Sequence, residues 1–449
     1  MEVTANNIAN VNTEGYTRQR VSMTEIADFA WPGPHSQSRN IGDGVQIDKV
    51  ERIQDVFLEN RGRIEHAQKA FLDGQQQVLG RIEQAFGEPG DTALQSKLND
   101  FWSAFGDVAN RPHDTATRAA LIGRGTIVAD GLRDMAGQLA SVWDTSRAQL
   151  GALVSEINEA ADTVAQLNLA VVASHTSGQP ANELANQRDR AVMRLAELTG
   201  ASTAMRNDGS VDVLLGGSTL VTGNMARHLQ PLSGATTMAD AQDGVTVDVQ
   251  WEDGAHAKVT STSGVLAAKL EALNSTLPGY ADRLDAVARN LASRLNAAHA
   301  EGRTDAGAAG APMFGAPSGD LGAANIRFVI TQPDQLAMAA PGGQVGAKDG
   351  SHADAIVAWA KNPPDGLPGP DAEYRQLVVD LGAHSQGVQR RAEIQAATAR
   401  QVDAERTSFS GVNLDEEMSN LVQFERAYQA AAKVISTIDE MLDVLINRM

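Results

Sequence analysis

Between Val50 and Thr199 apolar residues recur at helical spacing, and Leu94, Leu98, Phe101, Trp102 and Phe105 fall on one face. Breaks in this pattern come at "GEPGD" (87–91), "NRPHD" (110–114) and "SHTSGQP" (174–180), so Asp91 and Asp114 stand where they can cap the helices that follow. The period then changes. Within 201–263 the runs "SVDVLL" and "VTVDVQW" alternate apolar and polar positions. Turn signals surround them at Asp208-Gly209, Gly216-Gly217, Asp243-Gly244 and Asp253-Gly254, which predicts a small β-rich insert. Helical spacing returns from Gly264 to Ala300, with Leu284, Leu291 and Leu295 seven and four apart. Residues 302–350 are rich in Gly, Ala and Pro, with one strand-like run, "IRFVI" (326–330), and "NPPDGLPGPD" (362–371) is a loop before the last helices.

The C-terminal pattern is the most regular. Steps of seven give Leu414, Leu421, Tyr428, Ile435, Leu442 and Met449, and the companion positions are Glu417, Phe424, Ala431, Ile438 and Leu445. Only Glu417 is polar in this stripe, which predicts a coiled-coil helix in need of a partner. Asn413 is placed as its N-cap, with Glu416 as the reciprocal member of a capping box. Asp415, Glu416 and Glu417 suit the positive end of the helix dipole, and Arg448 suits the other end.

The opening stretch, "NNIANVNTEGYTRQRV" (6–21), poses the complementary problem. Asn6, Asn7 and Asn10 are poor helix starters, yet Ile8 and Val11 keep helical spacing, and Asn12 to Gly15 read as a stop. It therefore reads as the end of a helix that pairs with the C-terminal one. "IGDGVQIDKV" (41–50) alternates like a short strand after the breaker cluster Trp31-Pro32-Gly33-Pro34. The predicted fold is mainly α with an inserted β-rich domain, an α+β nested architecture. Terminal helices form a coiled coil, a helical domain forms the middle, and a β lobe lies farthest from the chain ends. The divisions are 1–49, an N-terminal helix and extended segment; 50–200, 264–301 and 371–410, three parts of one helical domain; 201–263, the β insert; 302–370, an excursion with weak regular structure; and 411–449, the coiled-coil helix.

Composition narrows the functional classes. The 449 residues are 42% apolar and 21% charged, with only 4% aromatic, as expected of long helices packed through small side chains. A formal net charge of −19 argues against nucleic-acid binding. No run of about 18 apolar residues predicts a membrane span, and the N-terminus lacks the basic and apolar regions of a Sec signal peptide. With no cysteine, disulfides, thiolate metal sites and Cys nucleophiles are excluded. The nine His are scattered without zinc-binding spacing, and neither a P-loop nor a nucleophile elbow occurs. Asp253-Gly254-Ala255-His256 reads as a hairpin turn, the "GDG" at 42–44 as another turn, and Asp415–Glu417 as helix-end charge rather than a cation site. No catalytic residue, metal or cofactor is expected.

The segment Asn6-Asn7-Ile8-Ala9-Asn10, followed by Thr13, Gly15, Tyr16, Arg18 and Gln19, resembles the N-terminal motif shared by flagellar rod, hook and hook-associated proteins. "FERAYQAAAKVISTIDEMLDVLINRM" (424–449) resembles their shared C-terminal helix. Three further stretches are similar to the hook-associated proteins of the hook–filament junction: "SGVNLDEEMSNLVQFERAYQAAAKVI" (410–435); "NELANQRDRAVMRLAELTG" (182–200), with Gln187-Arg188-Asp189; and the helix from 263 to 302, with Leu277-Pro278-Gly279-Tyr280, Asn296, His299 and Gly302.

The resemblance implies a structural, non-enzymatic protein of the bacterial flagellum, cytoplasmic before export and then secreted by the flagellar type III route. It implies a tubular homo-oligomer between the hook protein and a second junction protein, with no nucleic-acid or membrane partner. It assigns Asn7, Ile8, Ala9, Asn10, Gly15 and Tyr16 to an assembly motif. Leu414, Leu421, Phe424, Tyr428, Ile435, Ile438, Leu442 and Leu445 become the coiled-coil surface, held by an export chaperone before assembly. The rival readings are a hook or distal-rod protein, a secreted coiled-coil adhesin, and an enzyme carried in the insert.

The resemblance implies roughly ten to thirty residues of amphipathic helix before this motif, on the order of one coiled-coil partner, whereas five residues precede Asn6. Leu421 to Leu445 spans 25 residues, about 37 Å of helix, whereas Met1 to Val11 spans 11, about 16 Å. The N-terminal segment is thus expected to cover less than half of the C-terminal stripe.

Overall fold

The computed structural model describes residues 1–13, 15–26, 45–230, 232–253, 257–342, 349–361 and 369–447. The Trp31–Pro34 cluster, the 42–44 turn, the Gly254–His256 part of the predicted hairpin, most of the 362–371 loop, Arg448 and Met449 lie outside them.

A short helix, α1 (Glu2–Ala9), leads into an antiparallel pair, β1 (Gln19–Glu25) and β2 (Val45–Arg52). Four helices follow: α2 (Val56–Phe86), α3 (Leu94–Asn110), α4 (Thr115–Thr176) and α5 (Asn182–Thr199). The caps explain two of the breaks. Asp55 accepts from the Phe57 and Leu58 amides at the start of α2, and Asp114 accepts from Ala116 N at 2.9 Å at the start of α4. Asp91 does not cap α3. Its N-cap position is Ala93, and the Glu88 carboxylate reaches Gln95 N at 3.0 Å instead. Gly87 closes α2 with a left-handed φ of 62°, a conformation only glycine adopts without strain.

The insert begins with a four-stranded antiparallel meander, β3 (Ser202–Met205), β4 (Val211–Leu215), β5 (Ser218–Thr222) and β6 (Met225–Ala226). A small pair follows, β7 (Ser233–Gly234) and β8 (Val247–Asp248), with α6 (Met238–Gln242) between them. The alternation in "SVDVLL" puts Val211, Val213 and Leu215 inward. Four polar side chains along the 62-residue α4, about 93 Å long, fasten the insert to its flank, one of them Asp162, which bonds His228 at 3.0 Å. Asn168 donates to the Val211 and Gly223 carbonyls, Asn158 to Leu229 O, and Arg147 to Ala235 O. The insert is therefore not farthest from the chain ends, where the nested order of the segments would place it. Thr203 lies against Asn60 near the start of α2, because α4 turns back at residues 177–181 and α5 delivers β3 there.

The helical body is completed by α7 (Gly264–Glu271), a π turn (Ala272–Thr276), α8 (Leu277–Glu301) and, after the 302–350 segment, α9 (Ser351–Lys361) and α10 (Pro370–Ser410). The excursion at 302–370 has more structure than its composition suggests. It contains α9 and a two-residue pair, β9 (Phe314–Gly315) with β10 (Arg327–Phe328). Phe314 and Phe328 meet edge to face at 5.1 Å and both pack on Phe101, so scarce aromatics gather in one place. Asn296 holds this segment to α8 by bonding the backbone of Met313 and Phe314 on both sides, and buried His299 bonds Ala311 O and Ala337 N. Burial and nearby His352 hold the His299 imidazole below its usual pKa, and hence neutral. Gly302 is dictated by space, since a Cβ there would sit 2.4 Å from Ala337 O.

The π turn leaves Leu273 O available, and buried Trp143 Nε1 donates to it at 3.0 Å. Trp143→Phe keeps the apolar ring but orphans this carbonyl. It is expected to lower stability by about 1–3 kcal/mol in urea unfolding with an unchanged m-value.

α10 runs antiparallel along α2. Arg406 forks onto Glu59, Gln395 reaches Glu65, and His66 bridges Asp403 at 2.9 Å and Glu197 of α5 at 3.4 Å. The two carboxylates raise the His66 pKa against its partial burial. This contribution is complete below the unfolded value of about 6.5 and is lost as pH rises through the higher folded value. Relative to His66→Gln, the protein is expected to lose stability across that window, measured as the difference in unfolding midpoint at each pH.

Candidate assembly site at the chain termini

The last helix, α11 (Leu414–Asn447), meets α1 at its base, and side chains from both termini interlock there. Asn7 is buried and works as a backbone mimic. Its amide donates to Gln19 O at 2.9 Å while its Oδ1 accepts Gln19 N at 3.0 Å and the Tyr16 hydroxyl at 2.8 Å. Asn6 and Asn10 finish the helix through a 2.8 Å side-chain bond, and Thr13 Oγ1 donates to Asn10 Oδ1. These asparagines are turn and cap devices, which is why they sit where helix propensity is poor. Gly15 has φ 72°, and a Cβ there would lie 2.7 Å from the Arg190 side chain. Burial, helped by Glu183 and Glu417, pushes the Tyr16 phenol above its ordinary range, so it stays a donor. Ile8 is half-buried and Ala9 exposed.

Arg18 carries the link to the other terminus. Its Nε bonds Glu417 Oε1 and its Nη1 bonds Glu416 Oε2, both at 2.7 Å. Its amide donates to Ser410 O, the last residue of α10, and its carbonyl accepts Ile53 N. Glu417 is only 3% exposed. The one polar member of the heptad stripe is thus the buried partner of an N-terminal arginine. Asn413 does cap α11, accepting Asp415 N at 3.0 Å, but Glu416 turns to Arg18. From the sequence the acidic triplet reads as dipole compensation, and Arg18, Glu416 and Glu417 fall outside the assigned assembly motif and coiled-coil surface; the structure brings the three together. The polar break in the stripe was the available signal.

The coiled-coil residues are not gathered by the fold. Leu414, Phe424, Tyr428, Ile435, Ile438, Leu442 and Leu445 are exposed along the 34-residue α11, Tyr428 at 67% and Ile435 at 63%, and Leu421 is half-buried. Among the described residues no group of three or more acids or histidines could hold a metal ion, and no described helix is long and apolar enough to cross a membrane.

The helical body carries a β insert, and its two ends are joined by a clamp of the backbone-mimicking Asn7 and the ion-paired Arg18; the sequences at these two ends match proteins of the flagellar axis. The family model for the flagella basal body rod protein matches residues 1–17, and that for the flagellar basal body rod FlgEFG protein C-terminal region matches 405–449. The model for the flagellar hook-associated protein FlgK helical domain matches residues 79–314, more than half of the chain, and the chain belongs to that family. It is a structural component of the flagellar hook–filament junction, which sets aside the hook, rod and adhesin readings.

Flagellar hook-associated protein 1 of Bacillus subtilis (strain 168) is 26% identical over all of this chain and 95% of its own length. The protein of that name in Escherichia coli (strain K12) is 23% identical over 96% of its own length. The flagellar hook junction protein FlgK from Burkholderia pseudomallei shares the fold, with a TM-score of 0.66 and 15% identity over 78% of this chain and all of that one.

Arg18→Met leaves the Glu417 carboxylate buried without a partner. The expected cost is about 3 kcal/mol at this contact, seen as faster amide exchange over 414–418. Adding Glu417→Gln to the same variant should recover much of the protection.

Proposed function

We propose that the chain assembles with copies of itself through α1 and α11 into a tube seated between the hook protein and a second junction protein. Before export the α11 stripe is covered by a cytoplasmic chaperone, and the chain leaves through the flagellar type III route. Its role is architectural, with no reaction and no cofactor.

The observation that carries this reading is the apolar stripe of α11, exposed from Phe424 to Leu445. Burying a Leu, Ile or Phe side chain is worth roughly 1.5–3 kcal/mol, so several such residues on one face strongly favour a partner. A helix-in-groove complex fits the stripe before assembly, and packing against neighbouring terminal helices fits it afterwards. The clamp at Arg18 favours a fixed departure of α11 from the body, which a repeating assembly needs.

Cells lacking their junction protein test the assembly. At equal cellular levels, Leu421→Asp with Ile435→Asp should yield fewer filaments than the unsubstituted chain. Deleting 410–449 should also abolish capture by the export chaperone in a pull-down. As many filaments from the doubly charged variant would refute the role given to the stripe.

A further inference from the structure

His299 is fully buried near the end of α8, and backbone groups hold its ring from two sides. Nδ1 faces Ala311 O at 2.7 Å and must donate, while Nε2 accepts Ala337 N at 2.8 Å and must carry no hydrogen. The partners thus fix one neutral tautomer. A second imidazole completes the arrangement. His352, at the start of α9, donates from Nε2 to Ala298 O at 2.9 Å, and its amide donates to Met338 O at 3.2 Å. Residues 337–339 are therefore clasped between the end of α8 and the start of α9, and Ala339 exchanges two backbone bonds with Arg303.

Neither ring has room to turn. A Cβ at Gly310 would lie 2.6 Å from His299 Nδ1, and one at Gly302 would lie 2.3 Å from His352 Cδ2. The surroundings also give a cation no support. His352 opposes a positive charge on His299. On the 302–339 segment Asp305 is paired with Arg118 of α4, and Arg303 Nη1 bonds Gly302 O. Asp349 bonds the Ala340 and Ser351 amides and faces His352. Glu301, Asp334 and Asp354 are exposed. Among the described residues no carboxylate is hydrogen-bonded to either imidazole. A proton on Nε2 would point at the Ala337 N–H with no acceptor between them. Because the ring cannot swing away, the backbone has to move.

We propose that His299 is an acid-operated latch: on taking up a proton it ejects the Ala337 amide and frees residues 337–339, with their Arg303 bridge, from the end of α8. The fastening at Met313 and Phe314 is separate, since it runs through Asn296, which does not titrate. Burial lowers the His299 pKa in the folded chain. The latch is fully closed above the unfolded value of about 6.5 and loosens as pH falls from there toward the lower folded value. The inference does not depend on the assembly reading above.

The test is amide hydrogen exchange of the full chain between about pH 7.5 and 5.5, corrected for the intrinsic rate. The opening constant of the Arg303, Ala337 and Ala339 amides should rise about tenfold for each pH unit below about 6.5, the signature of one proton. The Met313 and Phe314 amides should keep their protection. His299→Gln retains an N–H donor and a carbonyl acceptor but takes no proton, so its opening constants should not change with pH. Should that variant fail to fold, the imidazole nitrogen shifts of the wild type give the same answer. His299 should protonate in step with the opening of Ala337. Three results overturn the proposal: equal loss of protection at Met313 and Phe314, the same pH dependence in His299→Gln, or Ala337 and Ala339 amides that stay protected throughout.

Discussion

The ion pair between Arg18 and Glu417 joins residues 399 positions apart in the chain. A carboxylate buried to 3% exposure is tolerated only with a matched cation, and the matched cation must arrive from the other terminus. This requirement fixes much of its surroundings. The Arg18 backbone is held on both sides, by Ser410 at the end of α10 and by Ile53 at the entry to α2. The same short segment therefore sets the angle between α10 and α11 and the path of the chain into the helical body. Asn7 then locks α1 to Gln19, one residue further on.

Polar side chains that imitate the backbone recur throughout the molecule. Asn7, Asn168, Asn158, Asn274 and Asn296 each bond both a backbone donor and a backbone acceptor of a distant segment. They extend hydrogen-bonded pairing to places where a helix meets an irregular strand. A chain with few aromatics gains specificity this way, because a mispositioned segment leaves a buried amide unsatisfied. Five aromatic residues, Phe101, Trp102, Phe105, Phe314 and Phe328, meet where α3 meets the 302–340 region, and there they replace regular structure as the source of order.

The exposed stripe of α11 is a departure from self-sufficiency. It is long and apolar, as suits packing against other helices, and it lies outside what the folding of one chain requires.

Much of this was legible in the residues themselves. The change from period 3.6 to period 2 and back marks the insert, because side-chain direction follows local backbone geometry. The heptad stripe of α11 and its one polar exception, Glu417, stand in the sequence for the same reason. The pairing of that exception does not, since the motif that contains Arg18 carries no sign of what the guanidinium meets; only the approach of the two termini pairs them. The position of the insert differs from the one the segment order implies, because its attachment to the flank of α4 rests on Arg147, Asn158, Asp162 and Asn168, spread over a long helix. The structure in 302–370 escaped the pattern because its order comes from Phe314, Phe328 and Asn296 meeting other elements, not from periodicity. Local period and capping are properties of neighbouring residues and can be read along the chain. Charge pairing, cavity lining and the burial of isolated polar groups depend on distant segments, and only the tertiary structure decides them.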